Sequence, residues 1–372
     1  MFYNSKKYKI FLDFGVKYLN NNRNNRSAPA KRQGGTSSNN TGINISYNTV
    51  CLVLCLAFAL VNLRVFSLII TSNDTLKAKI AVPVISEEEQ RKIDEQERIK
   101  KDIEENFITI PVSFDDTRRG NLILVNDTHE YSFDAISTVV ADEQAITIPD
   151  SSDASYWVKS NYDLLKPNVL ENIDRLLCDF AIENNNTDVM ILDTFRSYED
   201  QQRVLANKIE QLGEQQGRKI ATNPGFSEHH TCLAIDLTLF NGKEYGEYDG
   251  QGIYKWITDN CKDYGFVIRY GSDKTDITGI DYEPWHLRYV GNEHAYYMTQ
   301  NNLCLEEYIT LLSQYTVDGQ RLKFTDGDGN SYSVYSCVVG EEGGTVHVPR
   351  NGSYTLSGDN DGRIIVTCKT SY

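Results

Sequence analysis

The sequence of 372 residues predicts an α+β fold: a small mixed or antiparallel sheet with flanking helices. Three observations predict it. Short strand-like runs alternate irregularly with stretches of helical period, where a βαβ series would be regular. Two polar clusters rich in His and carboxylate, residues 227–236 and 283–286, sit against two of those runs. From Val317 onward the helical period stops, and alternating runs are split by Gly, Asp and Asn, as in a small all-β module.

Charge divides the chain before any element is placed. Residues 1–49 carry eight cations and one acid, Asp13, leaving 29 cations against 51 acids in the rest. A body so acidic has no footprint for phosphates, so nucleic acid is excluded as a partner. The Asn-, Gly- and Ser-rich stretch at 18–46 cannot bury enough apolar surface to fold, and 1–49 is expected as a disordered basic tail. Residues 50–71 (VCLVLCLAFALVNLRVFSLIIT) have about the 20-residue length that a bilayer core demands. Asn62 and Arg64 interrupt the run. The cations upstream orient such a transmembrane helix with its N-terminus in the cytoplasm and everything after about residue 72 outside.

A charged helix with Glu-to-Lys spacings is expected over 85–105, and a strand over 107–112; together 72–117 read as a stalk and lead-in strand. Residues 122–125 (LILV) are strand-like, with Asn126-Asp127 as a turn. Pro167 opens a helix whose stripe is Leu170, Ile173, Leu176, Leu177 and Phe180. Strands are expected at 189–192, 233–239, 266–270 and 285–290, the last led in by the acidic turn 281–283. Ser197 and Asp200 cap a helix running to about Gly213, and another is expected over 253–261. Residues 118–314 form one domain on this reading and 315–372 the β module. Within the module the run DGDGN (326–330) lacks the spacing and closing Glu of a calcium loop and reads as a hairpin turn. The eight cysteines contain no C-x-x-C, so no structural zinc knuckle is expected; Cys337 and Cys368 are the first candidates for a disulfide.

The chemistry lies in the two polar clusters. In SEHHTCLAID (227–236) a His and an Asp stand seven positions apart on a loop entering an apolar strand. In EPWH (283–286) a Glu precedes a His by three. Taken singly, His229 or Asp236 is an ordinary core residue. Together, His229, Asp236 and His286 make a three-ligand zinc set with a fourth position open, as a catalytic site requires, and leave Glu283 free as a base.

These segments also resemble a family. DTFRSYEDQQ (193–202), SEHHTCLAID, GFVIRYG (265–271) and ITGIDYEPWHLRYVG (277–291) are similar to the VanY-type D-alanyl-D-alanine carboxypeptidases, with the pattern S-x-H-x-x-G-x-A-x-D followed by E-x-x-H. The resemblance covers about residues 118–312. It implies one Zn²⁺ per chain on His229, Asp236 and His286, with Glu283 as catalytic base. It further implies that Arg196 and Gln201 meet the substrate; Ser227 or Arg196 holds its terminal carboxylate, and Arg196 is the candidate cation for the charge that develops on the peptide oxygen. Trp285 and Tyr289 look like either pocket walls or ordinary core packing, and Arg269 has either a pocket role or a plain salt bridge. The family glycine is replaced by Cys232, which crowds the turn if φ is positive there or offers a thiolate near the metal; His230 is a second imidazole beside the first ligand.

The implied activity is removal of the C-terminal D-alanine from peptidoglycan stem peptides or their precursors, in a bacterium, by an enzyme anchored through residues 50–71. L,D-carboxypeptidase or endopeptidase action on the same wall peptides is an alternative, and so is a catalytically silent wall-binding protein.

Overall fold

The computed structural model describes residues 52, 54–64, 86–141, 143–149, 155–160 and 163–370. The expected tail (1–49) and the stretch 72–84 lie outside the described residues, as does much of the expected span. Residues 54–64 are helical, and the apolar side chains from Leu54 to Leu63 are solvent-facing. Among the described residues no helix is long and apolar enough to cross a membrane.

Residues 85–372 form one compact unit. It opens with helix α1 (Glu87–Asn106), started by a capping box in which Ser86 and Glu89 satisfy each other's backbone N–H groups. Arg91–Glu87 and Lys92–Glu88 are among its exposed i,i+4 pairs, and no residue of α1 is buried, as expected of a solvated helix.

A mixed sheet of α+β type positions the site. Its strands are β2 (Trp157–Val158), β3 (Val189–Asp193), β4 (Ala234–Phe240), β5 (Phe266–Tyr270) and β6 (Glu283–Tyr289), in the order β2-β3-β4-β6-β5, with Tyr245–Gly246 pairing onto β4. Only the β2–β3 pair is parallel. Helix α2 (Pro167–Asn184) has Pro at its first turn and buries Val169, Ile173, Leu176, Leu177 and Phe180. That stripe packs with Ile191, Ile235, Leu237 and Leu287 into one core. Helices α3 (Tyr198–Leu212) and α4 (Glu214–Ile220) follow β3; Ser197 caps α3 through the Asp200 amide, as expected. The helix expected at 253–261 is α5 (Lys255–Asn260), flanked by 3₁₀ turns.

The sheet departs from the sequence reading at Leu122–Val125. These residues are buried but form no strand. Their backbone is paired elsewhere: Leu122 N donates to Ser357 Oγ, Leu124 N to the Asp359 carbonyl, and Arg288 donates to the carbonyls of Asn121 and Ile123. An apolar run satisfied by side chains and turns needs no ladder.

The C-terminal sheet is antiparallel, ordered β7 (Leu322–Thr325), β8 (Ser331–Val338), β11 (Arg363–Thr370), β10 (Tyr354–Gly358). Strand β9 (Gly344–Pro349) instead pairs with β1 (Phe107–Val112), the lead-in strand. Helices α6 (Asn292–Gln300) and α7 (Leu305–Leu312) share a core with Leu322, Val334 and Ile365, so packing is continuous across the expected boundary at 314/315. The DGDGN run is the β7–β8 turn: Asp326 Oδ1 accepts from the amides of Asp328 and Asn330. No disulfide joins Cys337 and Cys368; their strands pair in a register that sets Cys337 opposite Ile364 and Cys368 opposite Ser333.

Asp116 fastens the lead-in segment to the following loop. Its buried carboxylate accepts from the amides of Ser113, Thr138 and Val139 and from the hydroxyls of Ser113, Ser137 and Thr138. Burial by itself would raise its pKa, but these donors hold it well below the usual carboxylate range. Asp116→Ala is expected to cost about 2–4 kcal/mol, by leaving several of these donors unsatisfied. A group depressed in the folded state contributes above its unfolded pKa of about 3.9 and loses that contribution as pH falls. The difference between wild type and variant in urea unfolding should therefore be constant near neutrality and shrink below about pH 4.

Candidate active site

Strand register assembles the site. In the β4–β6 ladder Asp236 stands directly opposite His286. In the β3–β4 ladder a register shift after Ile191 brings Asp193 opposite Asp236, and a second shift between Ile268 and Tyr270 sets Tyr270 opposite Glu283. Such irregularities re-aim side chains where a regular pleat would not. His229 comes from the 3₁₀ turn Glu228–Thr231, which ends at Cys232 with φ 58° and ψ 24°.

His229 Nε2 lies 3.2 Å from Asp236 Oδ2, and His286 Nδ1 lies 2.9 Å from Asp236 Oδ1. One donor atom from each of the three residues falls within 4.8 Å of the others, a group able to hold a metal ion. The remaining ring nitrogens are already engaged. His229 Nδ1 donates to the Thr194 carbonyl at 2.5 Å, and His286 Nε2 faces Glu228 Oε2 at 3.4 Å. These partners hold each ring so that its inward nitrogen can offer a lone pair once the site's proton is lost, the arrangement that metal-bound imidazoles require. Burial would push His286 down, yet Asp236 and Glu228 raise it to about 9, and burial lifts Glu283 to about 8 against the pull of His286. The cluster therefore holds protons where a cation would sit, and a dication would displace them. Two imidazoles and a carboxylate suit zinc.

Behind the ligands lies a buried ion cluster. Glu228 Oε1 accepts from Arg269 Nε (2.7 Å) and Arg288 Nη1 (2.5 Å), and Arg269 makes a fork to Glu306 (2.8 and 2.6 Å). Burial opposes ionisation of Glu228, but the two guanidinium groups keep it well below its ordinary value.

In front of the ligands is a cavity of about 400 Å³. Of the residues expected to meet substrate, Arg196, Gln201, Ser227 and Trp285 line it along with Glu283 and the three ligands. Arg196 donates to Asp193 (3.0 and 2.8 Å) and to Gln201 Oε1 (2.6 Å), and Nη2 approaches Asp236 at 3.5 Å. Gln201 is anchored in turn on the Thr222 carbonyl. Ser227 Oγ accepts weakly from the His229 amide.

Two pocket readings give way to their structural alternatives. Arg269 does not line the cavity; its side chain is wholly buried in the ion cluster, the salt-bridge alternative. Tyr289 is no pocket wall either: it shares the Leu287 face of β6, opposite to His286, and packs on Phe266. Sequence reasoning gave no role to Glu228, Tyr270, Tyr248 or Lys208. Lys208 alone had a signal, since it lies seven positions after Gln201 on the same helix face.

His230 is no rival ligand. Its Nδ1 donates to the Arg196 carbonyl and its Nε2 accepts from the Gly225 amide, so it is neutral and ties two loops together. Burial lowers its pKa, consistent with that state.

A family model described as "VanY: D-alanyl-D-alanine carboxypeptidase" matches residues 163–292. The bifunctional D-Ala-D-Ala dipeptidase and carboxypeptidase VanXYC of Enterococcus gallinarum is 32% identical over 160 residues, 42% of this chain and 83% of that protein. The chain belongs to the VanY family of D-alanyl-D-alanine carboxypeptidases. It is an enzyme, a zinc metallopeptidase of that type. A D-alanyl-D-alanine carboxypeptidase of Enterococcus faecium is 28% identical over 249 residues, 67% of this chain and 75% of the relative. The crystal structure of the vancomycin-resistance D,D-dipeptidase VanXYg with a D-Ala-D-Ala phosphinate analogue superposes with a TM-score of 0.61 at 28% identity, covering 71% of this chain and 99% of that one. The likeness thus extends well beyond the segment matched by the VanY model.

Cys232 occupies the left-handed conformation that suits the family glycine, and its sulfur is not in the metal-binding group. Cys232→Gly should relieve roughly 1 kcal/mol of backbone strain, less what the buried thiol contributes, with metal content unchanged; thermal unfolding and metal analysis would check both. Glu228→Gln removes a charge from between two buried guanidinium groups and loosens His286. It is expected to destabilise the fold by about 3–5 kcal/mol and to weaken metal binding about 10–100-fold, read by competition with a chromogenic chelator.

Proposed function

We propose that the chain removes the C-terminal D-alanine from peptidoglycan stem peptides or their precursors, with one zinc ion per chain held by His229, Asp236 and His286. The observation that carries this reading is the convergence of those three donors, with Glu283 in the same cavity and 4.0 Å from His286. Zinc, when bound, acts as a Lewis acid and acidifies water near neutral pH. Glu283 takes the proton of the attacking water and delivers it to the leaving amine. A dication beside Glu283 favours its carboxylate form, offsetting the burial that otherwise keeps it protonated. Arg196, held by Asp193 and Gln201, is set to donate to the peptide oxygen as negative charge develops there.

The setting of this activity is read from the sequence. The apolar run 50–71 behind eight cations supports a single-pass anchor in the cell membrane, with a cytoplasmic N-terminus and the enzyme outside, where wall peptides are. A silent zinc fold is disfavoured because the ligand set is complete and Glu283 is in place.

Glu283→Gln should retain zinc while release of D-alanine from an N-acylated peptide ending in D-Ala-D-Ala falls by about 10²–10⁴. Undiminished release would sink the mechanism. Release of a dipeptide, or turnover of only the tetrapeptide, would reassign the specificity.

A further inference from the structure

The cavity in front of the ligands has its mouth at the far end of β4. Among the described residues that line it, Glu247 alone is exposed, and it directly follows the short strand Tyr245–Gly246 that pairs with β4. A chain held at the metal ligands therefore leaves over that end of the sheet, where the surface carries aromatic rings. Alternation along β4 puts Leu237 and Leu239 into the core and Asp236, Thr238 and Phe240 on the opposite face. Cross-strand register extends that face: Trp157 stands opposite Met190, Met190 opposite Thr238, and Tyr245 opposite Phe240. Three aromatic side chains thus share the face that bears Asp236. Between ring centroids, Trp157 meets Phe240 edge-on at 5.1 Å, and Phe240 meets Tyr245 at 4.9 Å. Trp157 is 41% exposed and Tyr245 63%. The turn between Phe240 and Tyr245 is itself held, because Asn241 Oδ1 accepts from the amides of Lys243 and Glu244. Rings fixed in this way lose little freedom on binding. Single exposed aromatics need no explanation, but a set continuous with a catalytic cavity marks a binding surface.

Spacing identifies the occupant. Phe240 lies four residues along β4 from Asp236, about 13 Å at the rise of a strand. An extended peptide advances about 3.3–3.6 Å per residue, so four residues upstream of a scissile bond cover about the same span. A stem pentapeptide ending in D-Ala-D-Ala has four residues before that bond, and its amino end is joined to an N-acetylated amino sugar. A pyranose ring offers an apolar C–H face and a rim of hydroxyls, matched by the aromatic faces and polar tips of Trp and Tyr. We propose that Trp157 and Tyr245, seated on Phe240, bind the saccharide at the head of the stem peptide, so that the enzyme selects sugar-linked peptides over free ones. This rests on the carboxypeptidase reading and names the substrate class of that same site.

Binding tests this separately from turnover. In the zinc-loaded full chain carrying Glu283→Gln, calorimetry would compare two ligands: a pentapeptide ending in D-Ala-D-Ala joined to N-acetylmuramic acid, and the same pentapeptide bearing only an acetyl group. The muramyl peptide is expected to bind about ten-fold more tightly, the scale of one well-packed aromatic contact. Adding Trp157→Ala and Tyr245→Ala together should abolish that preference and leave the affinity for the acetylated peptide unchanged. Trp157→Phe with Tyr245→Phe should keep most of it. Equal binding of the two ligands by the parent chain overturns the proposal, and so does a preference that survives in the double alanine variant. A variant that weakens both ligands alike overturns it too, since the rings then hold the peptide and not the sugar. Conversion of a dimer to a monomer by the same substitutions, read by sedimentation, overturns it in favour of contact between copies of the chain. Release of D-alanine from the acetylated pentapeptide by the wild-type chain is measured apart, so a wrong reaction and a wrong saccharide contact give different results. Circular dichroism and zinc content verify that the variants fold.

Discussion

Glu228 is the group on which the arrangement depends. One of its oxygens is shared by the side chains of Arg269 and Arg288, and the other faces the ring of His286. Two guanidinium groups removed from water would be very costly without opposing charge beside them. Glu228 and Glu306 supply that charge, and the four groups balance to neutrality. The same bonds reach outward: Arg288 to the backbone at Asn121 and Ile123, Glu306 to Asn126 and helix α7. The electrostatics that hold the fold's interior together are therefore also what orients a metal ligand.

The ligand geometry is built on rigid elements. Asp236 and His286 are cross-strand neighbours, and the irregularities in β3 and β5 bring Asp193 and Tyr270 alongside them. His229 comes from a different device, a 3₁₀ turn closed by a left-handed residue. His230 then serves this turn, by bonding the Arg196 backbone and the Gly225 amide, instead of competing for the ion. Sites whose supporting shell is held this firmly keep donors within the narrow tolerance that metal binding asks for.

The C-terminal strands are part of the same packing. Strand β9 completes a ladder begun more than 200 residues earlier by β1, and Ser357 and Asp359 pair the buried backbone at Leu122 and Leu124. That same segment carries the carbonyls that receive Arg288. A chain of hydrogen bonds therefore runs from the β module through residues 121–124 to the ion cluster behind His286. The coverage of VanXYg by 71% of this chain fits a unit of that extent.

The sequence by itself determined the candidate donor set, the acid beside it, the α+β class and most strand and helix positions. These are local: the residue types and spacings of S-E-H and E-P-W-H, a period of two or of 3.6, a proline at a helix start. Tertiary structure alone decided what each face meets. A period assigns a side chain to a face but not to a neighbour, so Tyr289 went to the core and Arg269 to an ion cluster whose partner, Glu306, lies 37 residues away. Leu122–Val125 look like a strand because they are apolar, yet their backbone is satisfied by groups more than 200 residues downstream.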